Sequence, residues 1–138
     1  MNTGELIRKY RKSQGLTQKG LGEACGMSEP AIRNYELGNR TPSEEQIDLI
    51  AKALGITPQA LAPHEMKSAR DALGLLFELE EQFGFYPQED GSLVIDPKAK
   101  NSKKLTAAIN AWRSALDEVA SGEMSEEEYD LWKAKFKL

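Results

Sequence analysis

Residues 16–42 read LTQKGLGEACGMSEPAIRNYELGNRTP. Thr17 is placed to cap a short helix over Gln18–Cys25, with Leu21, Ala24 and Cys25 apolar. Gly26 ends that helix and supplies a tight turn. Ser28 starts a second helix near Glu29–Leu37, with Ile32 and Tyr35 facing inward and Pro30 in the first turn, where no N–H partner is needed. Gly38 ends it. A helix-turn-helix needs a small turn residue, apolar residues that lock the helices together, and a free outer face on the second helix. Gly26 provides the first. Leu21, Cys25, Met27, Ile32 and Tyr35 provide the second. Ser28, Glu29, Arg33 and Asn34, joined by the Pro30 ring, are left for the third.

Outward from this unit the helical pattern continues. A helix near Thr3–Ser13 presents Leu6, Ile7 and Tyr10 at helical spacing. Ser43 caps another, in which Ile47, Ile50, Ala51 and Leu54 recur at i, i+3, i+4 and i+7. Gly55 closes it, and Pro58 opens a last single turn with Leu61. Residues 63–66 read as a linker. Beyond it the pattern changes to a helix over about Met66–Gln82, apolar over a wide arc. The segment GFYPQEDGSLVID then reads as a β-hairpin, with Asp90-Gly91 as a two-residue turn and Pro87 marking an edge strand. A helix over about Lys103–Ala120 follows. Ser125 with Glu128 forms a capping box before a last helix carrying Tyr129, Trp132 and Phe136. The expected architecture is mainly α, with five short helical elements over residues 1–62 followed by a small α+β domain over 67–138 (helix, hairpin, two helices).

Composition narrows the function. The 138 residues carry 18 Lys+Arg against 22 Asp+Glu, a net charge of −4. The balance is uneven along the chain. Residues 1–65 hold eight basic and eight acidic side chains, and residues 8–40 hold seven basic against three acidic. The acidity sits in the second half, so a basic surface on the first half is compatible with an acidic whole. No run of about 18 apolar residues suits a membrane span. The charged start, MNTGELIRKYRKSQG, does not read as a signal peptide, so a cytoplasmic protein is expected. One cysteine forms no internal disulfide and no Cys-based zinc site, and His64 has no second ligand beside it. No paired carboxylates, nucleophile–base set or glycine-rich phosphate loop stands out. No enzyme, cofactor or metal is expected.

The features Leu16-Thr17-Gln18, Leu21, Gly26-Met27-Ser28, Ile32, Tyr35-Glu36, Gly38, Arg40, Pro42 and Leu54-Gly55-Ile56 carry a resemblance. Over residues 3–62 the chain resembles the DNA-binding domain of the lambda repressor and Cro type, the XRE-like bacterial regulators. That family is the type case of recognition-helix docking in the major groove, so the docking is implied by the resemblance alone. It implies that Gln18 touches a phosphate and braces the recognition helix. It places Ser28, Glu29, Pro30, Arg33 and Asn34 toward base edges or flanking phosphates, with Asn34 suited to adenine and Arg33 to guanine or a phosphate. Asn39 and Arg40 fall along the DNA backbone, and Arg11 with Glu36 matches a partly buried ion pair.

Three departures from the family pattern stand out. Gly20 and Gly22 replace helix formers, each at a cost of about 1 kcal/mol against alanine. Glu29 brings a carboxylate to the groove face, where it could accept from cytosine N4. Pro30 offers only an apolar ring. Cys25 reads as a small packing residue.

The function expected is a sequence-specific transcriptional regulator, a repressor that binds a palindromic operator on double-stranded DNA as a homodimer through residues 67–138. The alternative is the antitoxin of a toxin–antitoxin pair, whose second half binds a protein partner. Cyanate lyase also resembles the family in its N-terminal part, but residues 67–138 show no catalytic Arg/Glu/Ser arrangement.

Overall fold

The computed structural model describes all of residues 1–138. The chain divides into two units. One comprises Met1–Pro63 together with Gly122–Lys137. The other comprises His64–Ser121, with the terminal Leu138.

In the first unit, α1 (Thr3–Ser13), α2 (Gln18–Cys25), α3 (Glu29–Leu37) and α4 (Glu44–Leu54) are followed by a 3-10 turn, Pro58–Leu61. Each helix starts on a side chain that accepts an otherwise unpaired backbone N–H: Asn2, Thr17, Ser28 and Ser43. Asn2 and Ser43 complete capping boxes with Glu5 and Gln46. Ile7, Leu21, Ile32, Ile50, Leu54 and Leu61 are fully buried and come from every one of these elements. Burial of each contributes roughly 1.5–3 kcal/mol, so the four helices and the turn hold together as one core.

α7 (Glu126–Lys135) belongs to this core. Ala134 is buried in it and Leu131 packs against it. The Thr57 amide donates to the Ala134 carbonyl at 2.8 Å, and Lys9 pairs with Asp130 at 3.2 Å. The expectation of one domain over 67–138 is therefore corrected. Leu131 and Ala134, three residues apart on one face, bury against the first unit, and the chain returns to that unit after Ser121. Tyr129 and Trp132 on α7 and Phe136 just past its end form a ladder of rings, with centroids 6.2 Å and 5.0 Å apart.

The second unit contains α5 (Ala69–Phe83), strands β1 (Phe85–Pro87) and β2 (Leu93–Ile95), and α6 (Ser102–Ser121). The strands pair antiparallel with Phe85 opposite Ile95, Tyr86 opposite Val94 and Pro87 opposite Leu93. This register leaves Gln88–Ser92 as a five-residue loop, not the two-residue turn expected at Asp90-Gly91. Local hydrogen bonds explain the longer loop. The Gln88 amide donates to the Ser92 carbonyl at 2.7 Å, and the Asp90 carboxylate accepts from the Ser92 amide and hydroxyl at 2.9 and 2.6 Å. The same hydroxyl holds the Asp90 pKa below its ordinary value. Little of this unit is interior. Ser102 and Ala115 are its buried residues, and α5 has none.

Candidate nucleic-acid interface

The turn between α2 and α3 has its geometry set by two glycines. Gly26 takes the left-handed conformation, φ 71°, that ends α2. Gly22 lies under the turn. A Cβ there would sit 2.6 Å from the Met27 carbonyl oxygen, so the backbones approach too closely for any side chain. Its departure from the family pattern is thus a packing requirement. Cys25 sits in the same lock, buried, with its thiol donating to the Leu21 carbonyl at 3.1 Å. Burial pushes that thiol's pKa up.

A polar network ties the last turn of α1 and the start of α2 to the last turn of α3. Arg11 Nε and Nη2 donate to the two carboxylate oxygens of Glu36, the latter at 3.1 Å. Arg11 Nη1 donates to the Leu16 carbonyl at 2.7 Å. Gln18 Nε2 donates to Glu36 Oε2 at 2.7 Å. The side chains of Arg11 and Glu36 are 9% and 3% exposed, so this fork is removed from water and is a bracing group, not a contact surface. Gln18 is half-buried at the first position of α2 and tied to α3 through Glu36.

The outer face of α3 is open. Glu29, Pro30 and Arg33 are exposed, and Asn34 is half-buried. Arg33 engages no carboxylate within the chain. The Ser28 hydroxyl accepts from the Ala31 amide at 3.2 Å, so it caps α3 while its O–H remains able to donate outward. Past the helix, the amides of Asn39 and Arg40 both donate to the Asn34 carbonyl, at 3.0 and 3.3 Å. The Asn39 side chain reaches Asn34 Oδ1 at 3.4 Å. Bidentate pairing of Asn34 with a base would replace that long contact. Lys19, exposed beside Gln18, adds a cation that the motif comparison does not single out. The surplus of basic residues over 8–40 is its only trace in the sequence.

Comparison with known proteins identifies the family of this domain. A helix-turn-helix family model matches residues 7–61. YazB, an uncharacterized HTH-type transcriptional regulator of Bacillus subtilis, is 42% identical over 62 residues, which are 45% of this chain and 90% of YazB. DdrOP3, an HTH-type transcriptional regulator of Deinococcus deserti, is 29% identical over 97 residues, covering 70% of this chain and 67% of that protein. The P22 c2 repressor, in a crystal structure with a synthetic operator, is 32% identical. That match covers 47% of this chain and 98% of that one, with a TM-score of 0.45. The fold and the open α3 face define a DNA-binding regulator of the helix-turn-helix class. The chain belongs to the HTH-type transcriptional regulators of the XRE, lambda-repressor-like kind. No helix is long and apolar enough to cross a membrane.

Proposed function

We propose that this protein is a cytoplasmic repressor that binds a palindromic operator as a homodimer and blocks transcription by occupancy, with no chemistry on the DNA. The observation that carries this reading is the exposed face of α3, held in place by the buried Arg11–Glu36–Gln18 network. α3 enters the major groove, where Arg33 donates to guanine or a phosphate and Asn34 pairs with adenine. Glu29 accepts from a cytosine amino group, and Pro30 lies against a thymine methyl. Gln18, Ser28, Asn39 and Arg40 hold the DNA backbone, with the N-terminus of α2 adding its dipole toward a phosphate. One such helix reads only a few base pairs, and a two-fold pair of them on one site supplies the remaining specificity.

Selection of bound sequences from a random duplex library tests this. The expected result is a two-fold symmetric site, with affinity falling steeply as salt rises. Arg33→Ala and Asn34→Ala should each weaken that site by about 1–3 kcal/mol and relax the preference at one position. Unchanged binding by both variants would remove α3 from the interface.

A further inference from the structure

α5 is a 15-residue helix without a buried residue. Leu73, Leu76 and Phe77 lie together on one face, 42%, 40% and 48% exposed. Ile109 and Leu116 on α6 are also exposed, and so are Tyr86 and Leu93 on the hairpin. A single copy thus leaves many apolar side chains of this unit in water, at a cost that folding alone does not recover. Gly74 in the middle of α5 adds to the anomaly. A Cβ there would meet nothing within 4 Å, yet glycine costs a helix interior about 1 kcal/mol against alanine. Nothing within the chain explains it. A second backbone passing close to the helix would.

The charges say which backbone. Arg70 lies before the apolar face, with its guanidinium 5.7 Å from the Phe77 ring. Glu80 and Glu81 lie after it. None of the three forms an ion pair within the chain. We propose that a second copy of this chain covers the face, with the two α5 helices antiparallel about a two-fold axis at Leu75. Residues equally spaced on either side of that midpoint then oppose each other. Leu73 of one copy meets Phe77 of the other, and Arg70 meets Glu80 with Glu81 one residue further. Each contact occurs twice. A parallel pairing would set Arg70 on Arg70 and Glu80 on Glu80. Any other occupant would have to present the same apolar centre with acid opposite Arg70 and base opposite Glu80, and this chain already does so. The inference rests on the homodimer reading above and assigns its interface.

Sedimentation of the full-length protein without DNA tests it, with helicity checked by circular dichroism. The wild-type chain is expected as a dimer and Leu76→Asp as a monomer. Arg70→Glu alone, and Glu80→Arg with Glu81→Arg, should each weaken the dimer about tenfold, because exposed pairs are modest but are here reversed twice. Combining all three substitutions should restore it. Gly74→Ala should weaken the dimer although alanine favours the helix. A monomeric wild-type chain, charge variants that leave the dimer intact, or a triple variant as weak as its parts would each overturn the pairing. Arg33→Ala, in the other unit, should leave sedimentation unchanged. Loss of operator binding with an intact dimer counts against no part of this interface, and a wild-type monomer that binds its site would sink the pairing alone.

Discussion

The amide of Thr57 donates to the carbonyl of Ala134 at 2.8 Å, joining the start of the 3-10 turn to the end of the last helix. With Ala134 buried and Leu131 packed beside it, α7 closes the core of the DNA-binding unit. The chain thus leaves the DNA-binding unit after Pro63 and re-enters it at Gly122. Hydrogen exchange checks this. The Thr57 amide should exchange slowly in the full chain. Ala134→Asp should abolish that protection and lower the stability of the DNA-binding unit by about 3 kcal/mol, because it buries an unpaired charge. A Thr57 amide that exchanges freely in the parent protein would show that α7 does not dock.

The buried network should behave asymmetrically. Glu36→Ala leaves the Arg11 guanidinium buried without a counter-charge and should cost about 3–5 kcal/mol of stability. Glu36→Gln keeps one acceptor and should cost less. Gln18→Ala removes one half-buried hydrogen bond and should cost about 1 kcal/mol, while weakening DNA binding more than that. Denaturant titration paired with operator binding separates the two effects. Equal losses in both measurements would mean that Gln18 acts through folding alone.

Gly22 is the clearest test of what local propensity misses. By propensity, Gly22→Ala should stabilise α2 by about 1 kcal/mol. The Met27 carbonyl, 2.6 Å from where the new Cβ would stand, makes the opposite result the expected one. Thermal unfolding should show a lower midpoint. A raised midpoint would mean the turn yields to the methyl group without strain.

The first 62 residues were legible because caps, stop glycines and apolar spacing agree there. Thr17, Gly26, Ser28 and Gly38 bound α2 and α3 where the sequence places them. Tertiary contacts decide what was not legible. Nothing local tells α7 whether Leu131 and Ala134 should bury against α6 or against α1, so its place in the first unit could not be read from periodicity. The hairpin loop failed for a related reason. Asp90-Gly91 carries a turn signal, but the Ser92 hydroxyl and amide draw the Asp90 carboxylate into a wider loop. On α3, Glu29, Pro30 and Arg33 were read from the motif as outward-facing, and they are exposed. The need for Gly22 lies in a backbone contact across the turn, which no local sequence pattern encodes.

The thiol of Cys25 should be inert. It is buried, donates to the Leu21 carbonyl, and has its pKa raised by that burial, so little thiolate exists at neutral pH. Alkylation under native conditions should follow unfolding, with full labelling only in denaturant. Rapid labelling of the folded protein would mean the α2–α4 core opens locally at this position.

The contact between α1 and α7 carries a pH dependence whose sign follows from Asp130. Partial burial works to raise its pKa, but Lys9 and Lys133 outweigh that and hold it below its ordinary value of 3.8. A carboxylate depressed in the folded state adds stability above its unfolded pKa and loses it as pH falls through the folded one. The contribution is therefore complete above about pH 5 and lost progressively below 3.8. Asp130→Asn should lower stability at neutral pH by a small amount, since the side chain is 41% exposed and water screens the pair. The difference between Asp130→Asn and the parent should vanish toward pH 2. Unfolding curves of the two proteins from pH 7 to pH 2 make the comparison, and a gap that widens on acidification would show that Asp130 is not held by Lys9.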